Sequence, residues 1–220
     1  MHENYLNNPS WAYDFRNKYF PNHMTLENRW IIDFGCGRGR HVALLSQLGG
    51  KIVGMDIKSH EFWRKIPNAY FMLGSDKELP CIKDNTFDIF LAIQLLEYLE
   101  DDHRALDEIF RILKDGGWLL IQVPNKKNLY TLFRGKTIVS EINLKRYYDI
   151  IEIENLLKRS GFAIERLWTE KFYAPLFPIP VNYFLEILLP NWTEKMASRF
   201  TPFRYRGLIN VLAQKKKEGR

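Results

Sequence analysis

Short apolar runs alternate with amphipathic stretches through the middle of this chain. Residues 30–34, 51–56, 69–73, 87–93 and 117–123 are runs of strand length, bounded by polar or glycine-containing turns. Between them, residues 39–48, 59–65 and 102–114 read as helices. In the last of these Ala105, Leu106, Ile109, Phe110 and Leu113 recur at helical spacing, which predicts one face buried against a sheet. Gly116-Gly117 is expected to end that helix, because glycine accepts left-handed C-cap geometry. Asp101-Asp102-His103 has the form of its N-cap and acidic first turn. A further helix over 149–160 carries Ile150, Ile153, Leu156 and Leu157 on one side and stops at Gly161. Another strand follows near 162–169, and 207–214 reads as the last. Strand and helix in alternation predict an α/β fold, a mostly parallel sheet with helices on both faces.

The first strand ends in an unusual way. Trp30-Ile31-Ile32-Asp33-Phe34 runs into Gly35-Cys36-Gly37-Arg38-Gly39, after which a helix begins. A glycine-rich turn brings backbone N–H groups and a helix start close to a small ligand, with no Cβ atoms in the way. The spacing is D-x-G-x-G-x-G. A dinucleotide fingerprint is G-x-G-x-x-G, and here Arg40 stands where that pattern wants glycine. Asp33 also lies beside the turn, where a carboxylate repels a pyrophosphate and attracts an ammonium or a sulfonium.

Asp33 through Gly39 resembles motif I of the class I S-adenosylmethionine-dependent methyltransferases, and the likeness continues in the family's order. Val53-Gly54-Met55-Asp56 resembles its second strand ending in an acid. Leu79-Pro80 with Asp84-Asn85-Thr86-Phe87-Asp88-Ile89 is similar to its approach to strand four. Leu95-Leu96-Glu97-Tyr98-Leu99, the run from Ala105 to Gly117, Gln122-Val123-Pro124-Asn125 and Leu156 to Phe162 complete the series. The resemblance covers residues 29 to 170 and points to the branch containing quinone-biosynthesis and small-molecule methyltransferases. It implies a Rossmann-like seven-stranded sheet whose last strand is antiparallel, inserted beside strand six. It implies S-adenosyl-L-methionine as cofactor. On that reading Asp33 accepts a hydrogen bond from the methionyl ammonium, and Gly35, Cys36, Gly37 and Gly39 form the turn against the cofactor. Asp56 takes both ribose hydroxyls, or closes an Asx turn at the strand end. Ile57 and Leu79 sandwich the adenine. Ser75 or Asp76 accepts from its amino group. Gln94 lies at the sulfonium end.

The resemblance leaves the catalytic residue unknown. Where relatives often carry histidine this chain has Tyr98 and Asn143. His41 sits one turn into the first helix, where a structural role is the commoner outcome. His2, His23, His41, His60 and His103 lack the close spacing a zinc site wants, so no metal is expected. Cys36 and Cys81 form no disulfide framework, and the polar N-terminus lacks a signal peptide's apolar core. Both point to a cytoplasmic protein. The chain of 220 residues divides into an N-terminal cap over the cofactor site, 1–28, and a methyltransferase domain, 29–220. Within the latter, 173–206 is an apolar insertion between strands six and seven. Pro175, Pro178, Pro180 and Pro190 break it, so it does not span a membrane. Three readings stay open for it: a packing cap, a lining for a greasy or aromatic substrate, or a contact with a membrane surface or partner subunit.

The net charge of +6 marks a basic surface. Tyr130, Phe133, Arg134, Lys145, Arg146, Tyr147 and Tyr148 offer aromatics beside cations that could stack bases or wall a small-molecule pocket. No D/N-P-P-Y segment follows the fourth strand, which argues against a nucleic-acid partner. The expected function is methyl transfer to a small, apolar or aromatic molecule. The alternatives are a nucleic-acid or protein methyltransferase, or a cofactor-binding protein without catalysis. The oligomeric state is not legible.

Overall fold

A computed structural model describes residues 8–134, 144–171, 181, 188, 199 and 201–216. Seven strands form one sheet: β1 (Trp30–Phe34), β2 (Lys51–Asp56), β3 (Ala69–Leu73), β4 (Phe87–Ile93), β5 (Leu113–Pro124), β6 (Phe162–Glu170) and β7 (Leu208–Lys215). The described α-helices are α1 (Pro9–Tyr19), α2 (Arg40–Ser46), α3 (Asp102–Ile112), α4 (Leu129–Arg134) and α5 (Ile150–Arg159). The strand order is β3-β2-β1-β4-β5-β7-β6. Pairs from β3 to β5 are parallel, whereas β7 runs antiparallel to both β5 and β6. This is the mixed sheet expected from the sequence, with β7 inserted between β5 and β6.

The central strands are apolar on both sides because both faces are covered. Ile32, Phe90, Leu119 and Ile121 point into the layer shared with α3 and α5. Ile31, Ile89, Leu91 and Leu120 point to the opposite layer, with Ala12, Phe15 and Tyr19 of α1 and Val42 and Leu45 of α2. Each such side chain contributes roughly 1.5–3 kcal/mol by leaving water. The period of two along the strands thus sends neighbouring residues into two separate cores.

The α3 face is apolar as predicted, with Ala105, Leu106, Ile109 and Ile112 buried. Asp101 caps its start, accepting from the Arg104 amide at 3.0 Å. Its end differs from expectation. The helix stops at Ile112, and Leu113 already pairs with Phe87 in β5. Gly116-Gly117 lies inside the strand, where the β4–β5 register shifts between Phe87 and Ile89. A Cβ on Gly117 would stand 2.7 Å from the Lys114 carbonyl, so the close backbone approach within β5 is what needs glycine. The α5 helix does end as read, before Gly161 at φ +85°, and begins in a capping box between Asp149 and Glu152.

Two further differences concern helices. The segment expected as a helix over 59–65 is a 3₁₀ turn, Glu61–Lys65. Within residues 1–28 the chain forms α1, which the sequence reading left without an element; Asn8 caps it and Pro9 occupies its first position. Most of the 173–206 insertion lies outside the described residues. No helix among the described residues is long and apolar enough to cross a membrane.

Candidate active site

The strand order reverses between β1 and β4, the switch point where open α/β sheets bind ligands beyond their carboxyl ends. Asp33 and the glycine turn leave β1 there, and Gln94 leaves β4 beside them. The Gly35 and Cys36 amides both donate to the Met55 carbonyl, at 2.8 and 3.1 Å, which folds the turn back over β2. The Gly37 amide donates to Asp56 Oδ2 at 2.8 Å. Gly35, Gly37 and Gly39 all have positive φ. At Gly39 the φ of +82° is what favours glycine, and an added Cβ would also press on Ile66 Cδ1 at 2.7 Å.

Asp33 is 1% exposed, and its Oδ2 has no hydrogen-bond partner. A buried carboxylate oxygen without a donor is costly, and a ligand ammonium would supply the missing charge and proton donor. The His41 imidazole lies beside it, its Nδ1 3.7 Å from that oxygen, too far for a hydrogen bond. Cys36 is buried beside the turn. Burial first, then the carboxylates of Asp33 and Asp56, push its thiol well above the ordinary range, so it stays a protonated filler.

Asp56 also accepts from the Lys58 amide at 3.1 Å through Oδ1, the Asx turn weighed from the sequence. Each carboxylate oxygen has a second lone pair, so both retain capacity for a ligand hydroxyl. Ile57, next in the chain, is 68% exposed. Ser75 and Asp76 follow β3, held near Asp56 by the Gly74 amide, which donates to the Asp56 carbonyl at 3.0 Å. Ser75 is itself committed: its amide and hydroxyl both donate to Glu78 Oε2, at 2.5 and 2.7 Å. Leu79 is fully buried in the core, so its packing role stands where the sequence reading expected a wall against adenine.

The second half of the site is a cleft of about 590 Å³ that opens beside Gln94 and His41. Trp11, Phe15 and Tyr19 of α1 give it an aromatic wall, with Arg40 and Leu44 of α2 and Ile93 of β4 alongside. Its inner end is polar. The Gln122 amide donates to Asn210 Oδ1 at 2.7 Å, Glu170 Oε1 at 3.1 Å and Tyr19 Oη at 3.3 Å. Lys18 Nζ pairs with Glu170 Oε2 at 2.6 Å. Burial, then the Glu170 charge, raises the Tyr19 hydroxyl above its ordinary value, so it remains protonated. Gln94 holds φ +52°, with its amide on the Gln122 carbonyl at 2.8 Å, and is exposed toward the cleft.

The structure therefore brings Asp33, Gly35, Cys36, Gly37, Gly39 and Asp56 together, with Ile57, Ser75 and Asp76 adjoining and Gln94 on the neighbouring cleft. The sequence reading missed Trp63, whose Nε1 donates to the Gly37 carbonyl at 2.8 Å while its ring stacks on Phe71 at 4.7 Å. It also missed Tyr19, Gln122 and Glu170. Gln122 was visible as the one polar residue within Leu119-Leu120-Ile121-Gln122-Val123; the others carried no local signal. Among the described residues no three His, Cys, Asp or Glu side chains converge as a metal site.

A family profile described as a methyltransferase domain matches residues 32–121. A protein of Mycolicibacterium smegmatis named as a probable S-adenosylmethionine-dependent methyltransferase is 26% identical over 140 residues, covering 62% of this chain and 53% of the relative. The ubiquinone biosynthesis O-methyltransferase of Nitrosococcus oceani is 25% identical, covering 73% of this chain and 74% of that one. The chain thus spans about half the length of the first of these relatives. The fold matches a solved SAM-dependent methyltransferase from Archaeoglobus fulgidus with a TM-score of 0.65, at 17% identity and 97% coverage of both chains. Glycine turn, strand order and sequence likeness agree: residues 32–121 match a methyltransferase domain, and the chain is similar in sequence and fold to S-adenosylmethionine-dependent methyltransferases.

Proposed function

We propose that this protein transfers a methyl group from S-adenosylmethionine to a small, apolar or aromatic acceptor held in the cleft beneath α1. The observation that carries the reading is the buried, unpartnered Asp33 oxygen at the glycine turn, with His41, 3.7 Å from it, and Gln94 both lining that cleft. The residues fit the cofactor. Asp33 would receive the ammonium, and the turn would lie against the methionyl chain. Asp56 would take the ribose hydroxyls, with Ile57 along the adenine and Ser75 or Asp76 near its amino group. When bound, the cofactor supplies a methyl on a positively charged sulfur, already activated for transfer. The protein's task is then to align and to exclude water, and positioning of this kind can contribute roughly 7–11 kcal/mol. Trp11, Phe15 and Tyr19 would shield the acceptor, and Gln94 stands where the two halves of the site meet.

A relative named as a ubiquinone biosynthesis O-methyltransferase supports an apolar acceptor. The charge pattern supports a small one. Of the aromatics beside cations, Tyr130 and Tyr148 are buried. Lys145 pairs with Glu100 and Arg146 with Asp102, each at 2.7 Å. Lys145 and Arg146 are thus each committed to an acid, which favours a small acceptor over a nucleic acid.

Asp33→Ala and Asp56→Ala should each weaken S-adenosylmethionine binding by about 1.5–3 kcal/mol, the loss of a charge-assisted hydrogen bond. Isothermal calorimetry checks this, and unchanged affinity in both variants rejects the site. Transfer of labelled methyl from the cofactor to a panel of phenols, catechols and quinols tests the acceptor class.

A further inference from the structure

We infer that His41 binds the carboxylate of the cofactor's amino-acid half, next to the Asp33 that takes its ammonium; this rests on the function proposed above. The methionyl end is a zwitterion. Its ammonium nitrogen and carboxylate carbon are two bonds apart, roughly 2.5 Å. Whatever receives the ammonium must therefore have a donor for the carboxylate as its immediate neighbour. Asp33 Oδ2 is buried and unpartnered, and His41 Nδ1 lies 3.7 Å away without bonding to it. A buried carboxylate oxygen without a donor, and an imidazole beside it that can donate, match the two ends of one α-amino acid.

Three features give the imidazole this aim. Its ring lies against Phe15 of α1, with centroids 5.2 Å apart. The side chain is 26% exposed, and the residue lines the cleft. Arg40 precedes it and also lines the cleft, but is exposed where His41 is partly buried. The other charged groups facing the cleft are Asp14 and Lys18 of α1, Glu170 of β6, and Lys171. Of these Lys18 and Glu170 are paired with each other.

Two nucleosides separate this role from a packing role. S-adenosylhomocysteine keeps the amino-acid half, and 5′-methylthioadenosine lacks it. Calorimetry on the full chain should show His41→Ala and His41→Phe each weakening S-adenosylhomocysteine by about tenfold, the size of one such hydrogen bond. 5′-Methylthioadenosine should bind within about twofold of wild type. The phenylalanine variant keeps a ring against Phe15, so wild-type affinity in it overturns the inference. Equal weakening of both nucleosides also overturns it, since His41 would then only support the turn. So does an Arg40→Ala loss that His41→Ala does not share. Wild-type protein that binds neither nucleoside contradicts the proposed function itself.

Discussion

Glu97 places a carboxyl group where water does not reach. It is 1% exposed, its Oε2 has no partner, and burial pushes its pKa up to about 8. An unfolded glutamate loses its proton near pH 4.3. Between those values the folded protein holds one more proton than the unfolded chain, so stability falls as pH rises from about 4.3 to about 8 and then levels. Glu97→Gln removes that proton difference. Urea melts across pH 5 to 9 should show wild type losing a few kcal/mol more than the variant over this window; parallel profiles would show that another group carries the pH dependence. Glu97 lies two residues after Leu95, whose Cδ1 would stand 2.9 Å from a Cβ on Gly35. Its charge state is therefore set two residues from a side chain that packs against the glycine turn. None of this is legible in Leu95-Leu96-Glu97, because a glutamate in an apolar run looks the same buried or exposed.

Among elements, α1 depends most on what lies far from it in the chain. Its own signals are an Asn8 cap and two basic residues in its last turn. Its place is set by Lys18 on Glu170, by Tyr19 on Gln122, and by Arg166, which donates to the Lys18 carbonyl at 2.9 Å. Glu170→Ala deprives Lys18 and Gln122 of a partner and should destabilise by about 1–3 kcal/mol. The loss should fall first on α1, read as faster proteolysis between residues 8 and 28 with an unchanged sheet signal in circular dichroism. Equal cleavage in both proteins would show that apolar packing of Ala12 and Phe15 alone holds the helix. The α3–β5 boundary makes the complementary point. Leu113 continues the helical spacing of Ile109, yet it becomes the first β5 residue because Phe87 offers a ladder partner. Local periodicity ran on, and pairing cut it short.

At the scale of the whole molecule, the cofactor should act as a stabiliser. A ligand that binds only the folded state adds about 2.7 kcal/mol at a hundredfold excess over its Kd. S-adenosylmethionine should therefore raise the melting temperature of the wild type and do so far less in Asp33→Ala at the same concentration; equal shifts would place the compound elsewhere. The sequence alone determined the strands, the helix faces, the glycine turn and the acids at the tips of β1 and β2. Each follows from period, spacing or turn chemistry within a few residues. Tertiary structure decided the rest. It set His41 beside Asp33, joined Tyr19, Gln122, Glu170 and Asn210 into one polar cluster, closed the cleft with α1, and sank Leu79 into the core. Those contacts join residues distant in the chain, and their partners are chosen only when the crossing order of the sheet brings the strand ends together.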